Sequence, residues 1–434
     1  MINPDVKGRL LDNLRICTIR DHNDVERIIR FNEVIWGEEE NKEYGKIVGN
    51  MVRGLITQHP YTSFNDFLFI ENGETGEVLS FLCSVPLKWK YGSINLKVSI
   101  IECVGTLKPF RRKGFIKALM KKYDEQLKEE GYDLSIVWGI PYFYRQFGYE
   151  YALPYREECI LRFDQIPDGK CSDVNIRPMT IKDIPYASRL LNLSLEKYFV
   201  HTVREECIWL YQEKRRMSTE HPIESFIVES KGAISGYFRL VKDPHPLASK
   251  NICILEASDL TYDEALEVLR YAKSLGEARN KIPAIRIFLP TNSPLTEVAK
   301  FLGGQFSTPI KYLIKIPDVI RFLTKIKPVL EERIEQSVFR GLTTTLKINL
   351  FKLGVKLCFA DGILKNIEPY DPLNDDGHVD TAKINPSAFY RLLVGDSSIE
   401  EISACYPDVV AYGKIRHLLS VLFPKTISYF PSGY

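Results

Sequence analysis

At 434 residues the chain exceeds what one hydrophobic core usually spans and should hold about three domains. Hydrophobic residues at 45% and charged residues at 26% exclude wholesale disorder, and a formal charge of +2 argues against a dedicated nucleic-acid binder, which needs a concentrated basic face. The nine cysteines include no CxxC pair, so neither a zinc site nor a disulfide framework is expected; with no long apolar run at the start or elsewhere, the expectation is a cytoplasmic chain without a membrane segment.

The first segment, to about residue 165, alternates strand-like and helical runs. Arg15 to Ile19 alternates and ends at Asp21, and Val25 to Phe31 has helical spacing. Phe67–Ile70 and Val78–Leu87 read as strands joined through the turn residues Asn72-Gly73 and Thr75-Gly76. After a second turn at Tyr91-Gly92-Ser93, Leu96 to Leu107 is again strand-like. Phe115 to Glu130 is the clearest helix: Phe115, Leu119, Tyr123 and Leu127 recur every four residues, and Gly131 follows as a C-terminal stop. Leu134 to Trp138 is a short apolar strand.

A polar, turn-prone stretch from Asp164 to Lys170 follows, and past it the pattern begins again. Arg15–Asp21 and Arg177–Asp183 share Arg, Thr, Ile, a base and Asp in register. Later, Ile100-Ile101-Glu102-Cys103 resembles Ile254-Leu255-Glu256-Ala257, and each precedes a long amphipathic helix. Two matches in the same order indicate a degenerate duplicated domain over 166–315. The third segment, 316–434, opens with a helix through Val319, Phe322, Leu323, Ile326, Leu330 and Ile334. It continues into strand-like Leu346 to Cys358, helical runs at Pro386–Leu393 and Ser398–Ile402, and a tail ending Phe430-Pro431-Ser432-Gly433-Tyr434.

The chemistry is concentrated in Val104 to Ile116. A strand ends at Leu107, Pro109 forces a turn, and Gly114 opens the long helix. The first amides of a helix lack internal partners and its dipole favours negative charge, so strand, basic turn and helix N-terminus together make a phosphate cradle. Arg111, Arg112 and Lys113 add positive charge, and no Gly-Lys-Ser/Thr closes the turn as in a P-loop. A basic turn before a helix is otherwise an ordinary solvated surface. After the next strand comes Tyr144-Arg145-Gln146-Phe147-Gly148-Tyr149, which is aromatic packing material on its face.

Strand, R-x-x-G helix, strand and Tyr-x-x-Phe-Gly-Tyr in this order resemble the GNAT N-acetyltransferase superfamily. More narrowly, the chain resembles the Eis (enhanced intracellular survival) type, through that element, its length and the segment containing Tyr406-Pro407-Asp408-Val409. The resemblance implies an α/β (mixed α+β) fold: tandem GNAT-like acyltransferase domains, the first (1–165) catalytic and the second (166–315) degenerate, then a sterol-carrier-protein-like α+β domain (316–434). Ile116 departs from the small residue usual two positions after the glycine, and the Pro109–Gly114 turn is one residue shorter than usual.

The implied activity is direct transfer of an acetyl group from acetyl-CoA to a primary amine, such as an aminoglycoside or polyamine. The coenzyme would lie between strands ending at Gly105, Thr106 and Leu107 and at Gly139, its diphosphate on the amides of Arg112, Lys113, Gly114, Phe115, Ile116 and Lys117. Tyr144 matches the family's general acid. For the base the resemblance offers the terminal carboxylate of Tyr434, and Glu102 on the strand beside the thioester competes as base or substrate-binding carboxylate. The acidic loop Trp36-Gly37-Glu38-Glu39-Glu40 lies where relatives bind acceptors. A homo-oligomer is a further expectation from the family; a nucleic-acid or membrane partner is not expected.

In the second copy, Thr261-Tyr262-Asp263-Glu264-Ala265 replaces the basic turn, and its acids would repel a diphosphate, so no coenzyme is expected there. The seven histidines show no HExxH spacing, so no metal is expected, and no G-x-S-x-G elbow is present. The alternatives are a lysine or peptide N-acetyltransferase, and a non-catalytic carrier in which the site has lapsed.

Overall fold

The computed structural model describes residues 13–37, 42–215, 222–242, 250–374 and 381–431. Its first sheet is built on strands β1 (Leu14–Cys17), β2 (Phe67–Asn72), β3 (Val78–Tyr91), β4 (Ile94–Thr106), β5 (Leu134–Val137) and β6 (Glu150–Arg156). β1 to β4 are antiparallel neighbours, and β4 pairs in parallel with β5. Helices α1 (His22–Trp36) and α2 (Lys42–Thr57) connect β1 to β2, and α3 (Phe115–Glu129) connects β4 to β5. Asp21 caps α1 by accepting from the amides of Asn23 and Asp24.

The second sheet repeats the order. β7 (Cys159–Arg162), β8 (Val174–Pro178), β10 (Ile223–Ser230), β11 (Ala233–Val241), β12 (Ile252–Ala257), β13 (Ala284–Ile287) and β14 (Gln305–Phe306) lie in the sequence β14-β7-β13-β12-β11-β10-β8. β9 (Val200–Thr202) instead pairs with β3 of the first sheet. The chain then exchanges strands between sheets. β7, which precedes the linker, fits between β13 and β14, whereas β15 (Ile310–Lys315) returns to fill the gap between β5 and β6. Each sheet is thus completed by a strand from beyond its own run of sequence.

The third sheet has four strands, β16 (Thr344–Asn349), β17 (Gly354–Ala360), β18 (Ile363–Tyr370) and β19 (Thr381–Lys383). The run Leu346 to Cys358, expected as one strand-like stretch, is therefore two strands of a hairpin that turns at Phe351, whose φ is 66°. The second segment carries helices α4 (Ile184–Leu195), α5 (Glu206–Lys214), α6 (Tyr262–Ala278) and α7 (Pro294–Phe301) among the described residues. Helix α8 (Val319–Glu335) buries Phe322, Leu323, Ile326 and Leu330 in one apolar mass shared by the first sheet and the third segment. The tail ends as β20 (Ser428–Tyr429), parallel to β9, so the carboxy-terminal residues are stitched to the first sheet.

On the opposite face of the first sheet, α3 sinks Phe115, Leu119, Met120, Tyr123 and Leu127. The Tyr123 hydroxyl is 2.6 Å from Ser99 Oγ of β4 and 2.9 Å from Ser135 Oγ of β5, two residues paired in register. One phenol thereby clasps the two parallel strands at the middle of their three common rungs. Replacing Tyr123 with Phe strips a buried hydroxyl network of one member and should lower stability by about 1–2 kcal/mol. Denaturant unfolding measures this, and an unchanged midpoint would show the clasp to be energetically idle.

Candidate active site

β4 and β5 share a ladder only from Val98↔Leu134 to Ile100↔Ile136. Beyond that rung β5 ends at Val137, whereas β4 continues to Thr106, so the strands separate. The cause is visible in the register with β3: Cys83 faces Glu102 but Phe81 faces Gly105, leaving one extra residue on β4. Cys103 takes up the slack at φ 52°. Such a bulge bends its strand and leaves main-chain groups unpaired, so an extended, amide-bearing arm can add to the exposed edge as a strand would.

At the outer end of this wedge, β4 passes through a short 3-10 turn, Lys108–Phe110, into α3. Arg111 Nε donates to the Thr106 carbonyl at 3.1 Å and ties the turn to the strand end. Arg112 has φ 63° and Gly114 φ 82°. Gly114 is the N-cap and no side chain caps the helix. A Cβ placed on Gly114 would touch nothing within 4 Å, so glycine is required by its left-handed backbone, and the space before the helix is open to a ligand. The helix beginning at Tyr262 (α6) is the opposite case. Thr261 Oγ1 accepts from the Glu264 amide and Glu264 Oε2 accepts from the Thr261 amide at 2.8 Å, so this N-terminus is closed by its own side chains.

Of the residues expected at the coenzyme, Phe115 is buried against α3's own core and Ile116 is half-buried, so they could offer main-chain amides. Arg112, Lys113 and Lys117 are exposed. Thr106 turns its hydroxyl inward to Ser80 at 2.8 Å, Leu107 packs against the cores on either side, and the α-carbon of Gly105 abuts Ile35 of α1. These three supply backbone and packing.

Inward of the wedge lies a cavity of about 330 Å³, lined by Glu102 of β4, Gly139 after β5, and Tyr144. Tyr144 sits on the 3-10 turn Phe143–Phe147, 5% exposed, and its ring lies so close over Gly139 that any Cβ there would collide with it. Burial, with the Glu102 charge adding to it, pushes the phenol well above its ordinary range, so Tyr144 is protonated at neutral pH.

The tail reaches the same cavity. Phe430 stacks on Trp89 with ring centroids 3.9 Å apart, and Pro431 is part of the lining. Tyr434 lies outside the described residues, as do Glu38, Glu39 and Glu40 of the acidic loop, although Trp36 beside that loop lines the cavity.

The second segment was expected to serve as a pocket wall, but the residues that do so were not singled out: Gln212 on the helix Glu206–Lys214, and Arg239 and Glu256 on the second sheet. One signal was present: Glu256 is the repeat partner of Glu102. The two glutamates reach one cavity from two sheets, but Glu256 is closed off, receiving Arg204 at 2.7 and 2.8 Å and the Tyr237 hydroxyl at 2.8 Å. Burial alone would raise its pKa, yet the Arg204 and Arg239 guanidiniums outweigh burial and hold the carboxyl below its usual range. Among the described residues no cluster of His, Cys, Asp and Glu could hold a metal ion, and no helix is long and apolar enough to cross a membrane.

Comparison with known proteins agrees with this geometry. Residues 21–152 match the acetyltransferase (GNAT) domain family, and no curated protein matches the chain. Solved structures match nearly end to end. A conserved protein of unknown function from Enterococcus faecalis, described as a probable N-acyltransferase, is 13% identical with a TM-score of 0.71, over 97% of this chain and 99% of that one. A GCN5-related N-acetyltransferase from Anabaena variabilis is 14% identical with a TM-score of 0.68, over 97% and 100%. Eis1 from Mycobacterium abscessus is 11% identical with a TM-score of 0.59, over 97% and 100%. The chain thus carries a GNAT acetyltransferase domain, a class of enzyme that takes acetyl-CoA as co-substrate.

Two substitutions separate charge from strain at the helix start. Gly114→Ala should cost about 1–2 kcal/mol of backbone strain and leave acetyl-CoA binding detectable, whereas Gly114→Asp should abolish it by setting a carboxylate in the anion's place. Thermal stabilisation by acetyl-CoA reads both; equal binding by both variants would contradict the assignment.

Proposed function

We propose that the chain transfers the acetyl group of acetyl-CoA directly to a primary amine held in the cavity between the first two sheets. One observation carries the reading: a wedge between two parallel strands opens at one end on an uncapped helix N-terminus and at the other on a protonated tyrosine. The amides of Arg112 through Lys117 would hold the diphosphate, and the edges of β4 and of Trp138-Gly139 the pantetheine arm. The reacting group is the one shared by aminoglycosides, polyamines and lysine side chains.

Attack requires the neutral amine, whose nitrogen bonds to the thioester carbon while the carbon–sulfur bond breaks. Tyr144 delivers its proton to the departing thiolate, the acylated nitrogen sheds its extra proton to solvent, and the tyrosine is reprotonated from solvent. For the proton of the acceptor's ammonium, the anchored tail supports the terminal carboxylate of Tyr434. Glu102 would then hold the ammonium beside the thioester. The second domain, with its helix start capped by Thr261 and Glu264, is read as a degenerate copy that binds no coenzyme. The third is read as a sterol-carrier-protein-like scaffold that delivers the tail.

Tyr144→Phe should preserve acetyl-CoA binding and lower kcat about a hundredfold; parallel loss of both would contradict the acid role. A phenol donates only while protonated, and burial moves its titration upward, so kcat should show no descending alkaline limb below about pH 10. A limb near neutrality would point to another acid. Residues added after Tyr434 should inactivate the enzyme, and full activity of such an extended protein would transfer the base role to Glu102.

A further inference from the structure

The turn that carries Tyr144 adopts a backbone its own residues do not favour. Tyr142, at its start, has φ 65°, and Gly148, at its end, has φ 84°. Glycine takes the left-handed region freely, whereas a tyrosine there is disfavoured and persists only where its surroundings fix it. Two ties to neighbouring strands supply the fixing. Just past the turn, the Tyr149 hydroxyl lies 2.7 Å from Ser135 Oγ of β5, the serine that Tyr123 also engages. Within the turn, Arg145 Nη2 donates to Glu150 Oε1 of β6 at 2.7 Å.

The second tie sets where the middle of the turn sits. Glu150 is 5% exposed, and Arg145 is the one side chain that donates to it among the described residues; its remaining bond comes from the Tyr151 amide at 2.9 Å. A buried carboxylate is costly without a cation, so the guanidinium is drawn to one place. There it also lies 5.7 Å from the Tyr142 ring and 5.3 Å from the Tyr151 ring, so it bridges the disfavoured residue and the strand. Glu150 in turn is paired with Ile314 of β15, the strand inserted from beyond the second sheet. Arg145 is exposed, and a solvent-screened ion pair adds little to global stability. What the pair fixes is geometry: Tyr144 precedes Arg145 directly, and its ring lies against Gly139. Neither Arg145 nor Glu150 is among the described residues lining the cavity, so any effect on transfer passes through another side chain.

On the direct-transfer reading above, in which Tyr144 is the acid, we infer that Arg145 and Glu150 are positioning residues. Their ion pair holds the turn so that the Tyr144 hydroxyl meets the departing thiolate. A reacting group held about 1 Å out of place loses much of its catalytic effect, so the pair governs kcat and not coenzyme binding.

The test is a double-mutant cycle read as free-thiol release by the full-length protein. The substrates are acetyl-CoA with spermidine, kanamycin or Nα-acetyl-lysine amide, whichever amine is turned over fastest. Arg145→Met, which keeps the length but cannot donate, should lower kcat about tenfold with the KM for acetyl-CoA unchanged. Arg145→Lys, which restores the charge, should recover most of it. In a Tyr144→Phe background the same Arg145→Met change should cost about twofold or less, because the group it positions is gone. A merely structural role would lower kcat by the same factor in both backgrounds; that result, or full kcat in Arg145→Met, would overturn the inference. Glu150→Gln runs the same cycle without leaving a buried charge, so a poorly folding Arg145→Met leaves the test intact. Full kcat in Tyr144→Phe would overturn the acid reading and this inference together. Turnover of none of the amines would overturn the transferase reading itself, and the inference with it.

Discussion

The structure depends on a parallel strand pair that is held firmly and then released. Val98–Ile100 and Leu134–Ile136 are in register and clasped by the Tyr123 hydroxyl through Ser99 and Ser135. One extra residue, taken up at Cys103, then turns β4 away. Without the clasp the two strands would have no fixed point from which to diverge, and without the bulge no unpaired edge would exist. The same divergence aims β4 at the turn that starts α3 and sends β5 toward Gly139, where a missing Cβ admits the Tyr144 ring. The proposed coenzyme cradle and the proposed proton donor are thus two ends of one backbone deviation.

The rest of the chain encloses that deviation. β15 fills the gap between β5 and β6, and β9 and β20 extend the far end of the β3–β4 hairpin, bringing Phe430 against Trp89. The second sheet repeats the strand order of the first, but its corresponding helix start and glutamate are both occupied. Its helix start is satisfied by Thr261 and Glu264, and its glutamate is neutralised by Arg204. A sheet whose helix start and glutamate are both occupied is suited to serve as a wall of the cavity.

Much of this was legible where local chemistry decides. The four-residue recurrence from Phe115 to Leu127 marked α3 to within a residue of its end, and Pro109 with Gly114 marked the turn. Glu102 and Tyr144 were legible as residue types, and the cavity brings them together. What was illegible is non-local. Nothing in Ile310–Lys315 says that it leaves its neighbours and inserts in the first sheet, because apolar alternation specifies a strand and not its partner. Helix α2 was hidden by Gly45, Gly49 and Gly54, which read as helix breakers, although a Cβ on Gly49 would press on Glu33 of α1. The hairpin within Leu346 to Cys358 was missed because its turn carries Phe351, a residue with no turn preference. Gln212, Arg239 and Glu256 are ordinary core-edge residues until the fold sets them around one space.

A structure of the protein with acetyl-CoA is the most direct measurement. The account predicts diphosphate oxygens within hydrogen-bond distance of main-chain amides between Arg112 and Lys117, with the thioester between the edge of β4 and Gly139. A coenzyme bound elsewhere, or a wedge that closes over those amides in its presence, would contradict it.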